Sequence, residues 1–222
     1  MSGVSSKNQL LTPELLIRAY SVGIFPMSHS RNDPSIFWVD PKMRGILPLN
    51  SFHISHSLKK TVRKGKFKVS FNTDFHEVIV ACAETPRADT GTWINDQIIN
   101  AFTELHQLGL AHSAECRLNG MLVGGLYGIS INDLFCGESM FSVATDASKV
   151  ALVHLVARLK QCQLCLLDIQ FVTDHLKVFG AVEIPTQNYM EHLQQALQSK
   201  AKFEGNLPEN ESRLALEQLL IA

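Results

Sequence analysis

Three stretches of β-forming residues, 113–118, 122–131 and 134–142, follow one another with Asn119-Gly120 and Asn132-Asp133 at the joints. Asn-Gly is the strongest short hairpin signal, because a type I′ turn needs positive φ at both central positions. Strands joined this closely pair as an antiparallel meander. Upstream, residues 66–72 read as a strand, Thr73 caps a helix running to about Cys82, and Asn95 caps a second ending near Gly109. Downstream, Thr145 or Asp146 caps a helix over 147–159, with Val150, Val153, Val156 and Ala157 at helical spacing. An apolar strand over 164–171 follows, then a short helix over 173–179 stopped by Gly180. A strand over 181–184 and a helix capped by Thr186, running to about Gln198, complete the pattern. The order β-α-α-β-β-β-α-β-α-β predicts an α+β fold, a mixed sheet flanked by helices.

Residues 1–62 differ: Thr12 caps a short helix with Pro13 at its first position, and a Pro-punctuated stretch without clean periodicity follows. A small loop-rich N-terminal lobe (1–62), a catalytic domain (63–198) and a tail (199–222), polar then amphipathic, are expected. The formal net charge of -1 gives no global field toward nucleic acid or membrane, so any such contact needs a local patch. No apolar run approaches the ~18 residues of a membrane span, and Met-Ser-Gly-Val-Ser-Ser-Lys-Asn-Gln lacks the apolar core of a signal peptide. The odd number of cysteines, 5, argues against a disulfide framework and for a reducing, cytoplasmic setting. Cys162 and Cys165 form one Cys-x-x-Cys pair without a second, which reads as two core cysteines rather than a metal site.

Inside the apolar run 164–171, Asp168 and Gln170 fall two residues apart, on one face of an ideal strand and roughly 6–7 Å from each other. A carboxylate there costs several kcal/mol unless partnered. It is either a structural acid that caps a loop or pairs with a buried Arg, or part of a site. Glu138 is a second carboxylate in an apolar strand, sharing an ideal face with Cys136, Met140 and Ser142. Gly137 beside it permits a bulge or a close backbone approach. The element order from residue 66 is that of the GNAT-type N-acyltransferases, an analogy of topology in which the Asp168 and Glu138 strands should be neighbours. Two carboxylates and an amide would then converge as a site, the alternative being two separately satisfied core acids. Where that fold cradles coenzyme A, this chain has Phe141-Ser142-Val143-Ala144-Thr145-Asp146, with neither glycine nor base, and coenzyme A is a poor donor. Residues 53–68 carry Lys59, Lys60, Arg63, Lys64, Lys66 and Lys68 without an acid, either a solvated helix face or a footprint for phosphates. Trp93, in a loop before a helix, is a stacking platform for a base or an interface anchor.

At these residues the chain resembles the leucyl/phenylalanyl-tRNA–protein transferases. The matching runs are Gly23-Ile24-Phe25-Pro26, His53-Ile54-Ser55 with the basic stretch, and Gly91-Thr92-Trp93-Ile94. Others are Leu122-Val123-Gly124-Gly125-Leu126-Tyr127-Gly128, Gly137-Glu138-Ser139-Met140-Phe141-Ser142, Asp168-x-Gln170 and Asp174-His175-Leu176. The resemblance implies transfer of Leu or Phe, Met less well, from aminoacyl-tRNA to the α-amine of proteins beginning with Arg or Lys, marking them for N-end degradation. A cytoplasmic enzyme without cofactor, metal or membrane is expected; oligomeric state stays open, with a monomer as the default. Asp168, Gln170 and Glu138 would form the catalytic centre, and Phe135, Met140 and Leu126 an apolar aminoacyl pocket. Trp93 and Tyr20 would take the terminal adenosine, and Lys59, Lys60, Arg63 and Lys64 the acceptor stem. The chain departs from many relatives at Met27, where they place Trp, at Leu126, where some have Met, and at His56 in the basic stretch.

Overall fold

The computed structural model describes residues 10–85, 91–205 and 207–221. The amino-terminal stretch that lacks a signal-peptide core lies outside them. Helix α1 (Pro13–Ser21) starts as expected: the Thr12 hydroxyl accepts the Leu15 N–H at 3.3 Å. Strands β1 (Phe25–Met27) and β2 (Phe37–Val39) pair as a small antiparallel ribbon. The next strand, β3 (Met43–Ile46), leaves the lobe and enters the main sheet. The basic stretch forms α2 (His56–Arg63), capped by Ser55.

Then come β4 (Lys68–Phe71), α3 (Phe75–Glu84), α4 (Asp96–Gln107) and the meander β5 (Ala111–Leu118), β6 (Met121–Ile131) and β7 (Leu134–Ser142). Asn119, Gly120 and Asn132 take positive φ at the hairpin turns, as their residue types predict. Helix α5 (Ala147–Gln161), strand β8 (Leu166–Gln170), the single turn α6 (Asp174–Lys177), β9 (Val182–Pro185) and α7 (Thr186–Gln198) follow. The amphipathic end of the tail is α8 (Glu209–Ile221), packed on α5.

The main sheet has seven strands in the order β4-β5-β6-β7-β8-β3-β9. β7 and β8 run parallel and every other pair antiparallel, so this is the mixed sheet of an acyltransferase-like α+β fold. One face packs on α1, α3, α4 and α7, the other on α2, α5 and α8. β8 is buried along its whole length, as a central strand should be.

Some local expectations give way. Helix α3 is capped at Asp74 rather than Thr73, and Asp74 makes an ion pair with Arg117 instead of a side-chain cap. Thr186 opens α7 rather than capping it, because its hydroxyl donates to the Pro41 carbonyl. Cys165, expected in the core, is exposed just before β8, whereas Cys82, Cys116 and Cys136 are buried.

Candidate active site

Two backbone irregularities open a cleft in the middle of the sheet. Opposite β6, Tyr127 pairs with Ser139 and Gly128 with Gly137, which leaves Glu138 as an unpaired bulge residue. A bulge re-aims its side chain and ends regular pairing. β7 accordingly pairs with β8 only through Leu134, Phe135 and Cys136, and the two strands separate beyond. At the same level β8 ends because Gln170 adopts φ of 56°. A left-handed glutamine carries a strain of order 1–3 kcal/mol that the surroundings must overcome. Gly45 on β3 makes room for it: a Cβ there would lie 2.9 Å from the Phe171 carbonyl carbon.

The cleft between the separated strands has a volume of about 610 Å³, within the range of ligand sites. Leu126, Met140, Leu152, Leu155, Leu167 and Ile169 form its apolar wall. Glu138 and Gln170 stand at its polar edge, with Trp93, Phe171 and Met27 also facing it. Trp93 is held there by the turn that caps α4. Asn95 accepts the Ile98 N–H at 3.0 Å and donates to the Asp33 carbonyl at 2.8 Å, tying the Trp93 loop to the β1–β2 connection.

The expected convergence of Glu138, Asp168 and Gln170 is present, but with a division of labour that ideal strand alternation hid. The Gln170 amide donates to Glu138 Oε1 at 3.1 Å, while its backbone N–H donates to Asp168 Oδ1 at 2.9 Å. Asp168 points away from the cleft. It is 0% exposed and pairs with Arg44, itself 1% exposed, through Nε to Oδ1 at 2.9 Å and Nη2 to Oδ2 at 2.6 Å. The Tyr189 hydroxyl adds a bond to Oδ2 at 2.8 Å, and the Cys136 thiol lies behind at 3.4 Å. Arg44 also donates to the Gly23 carbonyl at 2.8 Å and is sandwiched between the rings of Phe25 and Tyr189 at 4.7 and 4.6 Å. Burial opposes its charge, yet the Asp168 carboxylate outweighs this and holds the guanidinium firmly protonated.

Glu138 has the opposite balance. Burial at the cleft edge pushes its carboxyl up to about 8, against the bonds from Tyr20 and Gln170 and the Arg44 charge, which lower it; the Asp168 charge raises it further. The Tyr20 hydroxyl reaches Glu138 Oε1 at 2.7 Å, and burial keeps that phenol protonated.

Several expected roles change with this geometry. Tyr20, assigned to adenosine, is 1% exposed, and its ring packs edge-on against Phe102 at 6.5 Å. No base can stack on it. Phe135, assigned to the aminoacyl pocket, is 0% exposed and packs on Phe203 at 5.3 Å in the core behind the cleft. The bulge explains this: Phe135 and Met140 both lie on the α5 side, Cys136 on the other, so Cys136, Glu138 and Met140 do not share a face. Leu126 and Met140 do line the cleft. On α2, Lys60, Arg63 and Lys64 are exposed and Lys59 is half-buried, while Leu58 and Val62 pack inward; Arg63 also donates to the Leu220 carbonyl of α8 at 3.1 Å. Sequence reasoning missed Arg44, Gly45, Tyr189 and Phe171. An isolated Arg in a short Pro-flanked stretch carries no local signal of its partner.

The family model of the leucyl/phenylalanyl-tRNA protein transferases matches residues 46–194, and that of their N-terminal domain matches residues 10–42. The chain belongs to the leucyl/phenylalanyl-tRNA–protein transferase family. A leucyl/phenylalanyl-tRNA–protein transferase of Paramagnetospirillum magneticum is 53% identical over 196 residues, 88% of this chain and 94% of the relative. One of Nitrobacter winogradskyi is 53% identical over 198 residues, 89% of this chain and 88% of the relative. Among solved structures, a functionally unknown conserved protein from Staphylococcus epidermidis superposes with a TM-score of 0.42 at 11% identity, covering 82% of this chain and 68% of that one. The chain is therefore an aminoacyltransferase that takes its donor from aminoacyl-tRNA. No helix among the described residues is long and apolar enough to cross a membrane.

Proposed function

We propose that this enzyme, acting as a cytoplasmic monomer without a cofactor, transfers Leu or Phe, and Met less well, from aminoacyl-tRNA to proteins beginning with Arg or Lys. The product is marked for N-end degradation. The observation that carries the reading is the cleft itself: an apolar pocket ending in an acid–amide pair, in a chain of this family. The preference for basic N-termini rests on the family resemblance.

In this scheme Leu126 and Met140 enclose the aminoacyl side chain, and Trp93 stacks on the terminal adenosine. Lys59, Lys60, Arg63 and Lys64 hold the acceptor stem through its phosphates. Glu138, Gln170 and Asp168 make the catalytic centre. The α-amine of the acceptor attacks the ester carbonyl; a C–N bond forms, the C–O bond to the ribose breaks, and the ribose oxygen leaves as a hydroxyl. Gln170 donates one amide N–H to Glu138, and its carbonyl oxygen serves as the acceptor that orients the amine. Asp168 acts through Gln170, fixing its strained backbone rather than touching substrate.

The test mixes enzyme, tRNA charged with labelled Phe, and peptides that begin with Arg, Lys or Asp. Label is expected on the Arg and Lys peptides alone. Transfer to the Asp peptide instead, or no transfer at all, overturns the proposal.

A further inference from the structure

Transfer requires that a cationic α-amine lose a proton before it attacks, and the two carboxylates at this site, Glu138 in the cleft and Asp168 behind it, differ in what already occupies them. Asp168 has about four acceptor positions, and all are taken: Arg44 Nε and the Gln170 N–H on Oδ1, Arg44 Nη2 and the Tyr189 hydroxyl on Oδ2. It also lies on the face of β8 turned away from the apolar wall, beneath Arg44 and Tyr189. Glu138 lines the cleft, and its two hydrogen bonds, from Tyr20 and Gln170, both fall on Oε1. Among the described residues Oε2 has no partner and is left to the cleft.

We infer that Glu138, not Asp168, takes the proton from the acceptor amine, and that Tyr20 and Gln170 are positioning residues that pin Oε1 and turn Oε2 toward substrate. The inference rests on the aminoacyl-transfer reading and deepens it. The ammonium form of the amine gives one proton to Glu138 Oε2. The neutral amine then attacks the ester carbon, its second proton passes to the departing ribose oxygen, and Glu138 releases its proton to water. A base is most effective when its pKa lies near working pH, and removal from water places Glu138 near 8. The groups that face it come from every neighbouring element: Tyr20 from α1, Arg44 from β3, Asp168 and Gln170 from β8, and Cys136 on its own strand. Tyr189 of α7 and Tyr127 of β6 stand one layer further out. Of these, Tyr20 can be altered without moving a charge.

The experiment measures kcat/KM for an Arg-initiated peptide between pH 5.5 and 9.5, with wild-type enzyme, Glu138→Gln and Tyr20→Phe, each checked for folding by circular dichroism. The ionisation of the amine itself is common to all three, so only movement between variants counts. Glu138→Gln is expected to lose about a hundredfold or more. Tyr20→Phe removes a bond that favours the carboxylate, so its acidic limb should move upward by about one pH unit. A purely structural role for Tyr20 would lower the whole profile evenly. An active wild type with Glu138→Gln within threefold of it overturns the inference alone, as does a folded Tyr20→Phe with an unmoved limb. A wild type inactive at every pH overturns the transfer reading beneath it.

Discussion

Replacing Arg44 with Met should unfold this protein far more readily than any surface change. Arg44 and Asp168 are both essentially without solvent contact, and the pair shares three N–H···O bonds, two of them from Nε. Removing one partner of such a pair costs about 3–5 kcal/mol, because the remaining charge is left in a dry site. The rings of Phe25 and Tyr189, 4.7 and 4.6 Å from the guanidinium, are deprived of their cation as well. In a chain of this size about 1 kcal/mol corresponds to roughly 2–4 °C, so Tm should fall by about 6–20 °C. The complementary variant is Arg44→Met with Asp168→Leu, which removes both charges and keeps the volume apolar. Its stability should recover above that of Arg44→Met but stay below wild type, by about 1–3 kcal/mol for each buried group, such as the Gln170 N–H and the Tyr189 hydroxyl, left without a partner. Transfer activity should not return: the Gln170 N–H loses its acceptor, and misplacement by about 1 Å costs roughly a hundredfold. Urea melts and the labelled-Phe assay on the same preparations read both quantities. The reasoning fails if the double variant is as unstable as the sum of the singles, or if the double variant transfers at the wild-type rate.

Other expectations follow from the same geometry. Leu126→Phe, which narrows the apolar wall, should lower kcat/KM for Phe-tRNA more than for Leu-tRNA, whereas Leu126→Met, nearly volume-conserving, should cost less than about 1.5 kcal/mol in either; steady-state kinetics with both donors decide this. Replacing Lys59, Lys60 and Lys64 together by Ala should raise KM for aminoacyl-tRNA and flatten the dependence of log KM on log salt, by about 0.7–0.9 for each phosphate no longer neutralised, measured by titrating salt in the transfer assay. Stability should peak near pH 6.5 in melts across pH. Buried His112 and half-buried His154, each held down to about 4, lose stability as pH falls below the ordinary histidine value of 6.5, because the unfolded chain binds protons first. Glu138, pushed up to about 8, keeps its proton in the folded state and so loses stability as pH rises from 4.5 to 8; between 4.5 and 6.5 the two histidines outweigh it, and Glu138→Gln should abolish the decline above the peak.

Most of the fold is legible because its signals are local. Asn119-Gly120 and Asn132 set the meander, Thr12 and Asn95 cap their helices as read, and the apolar run around Asp168 marks a central strand. What stays hidden depends on distant partners or on departures from ideal alternation. Arg44 meets Asp168 across 124 positions of sequence, and nothing near residue 44 announces it. Of the two alternatives open for Asp168, the structural one is what the contacts show: it pairs with a buried Arg, and its Oδ1 accepts from the backbone N–H of Gln170, a residue that lines the cleft. Gly137 correctly signals a bulge, but periodicity cannot follow the side chain that the bulge redirects, and the family's pattern puts Phe135 in the cleft when it lies behind it. Tyr20 does stand at the site, as a donor to Glu138 and not as a stacking surface.

The same contacts tie the amino-terminal lobe to the proposed catalytic cleft. The lobe supplies Tyr20 to Glu138 and Gly23 and Phe25 to Arg44, and β3, the strand that leaves it, carries Arg44 and Gly45 to β8. Without β3, Asp168 would be an uncompensated charge in the sheet. Gln170 would then have no fixed acceptor for its backbone N–H, and no neighbour that makes room for its left-handed turn. A chain beginning after residue 62 would keep Glu138, Asp168 and Gln170 yet lack the groups that hold them in place. The strained glutamine is therefore stable only in the presence of β3. This ties the site's geometry to a lobe whose own sequence shows no catalytic motif.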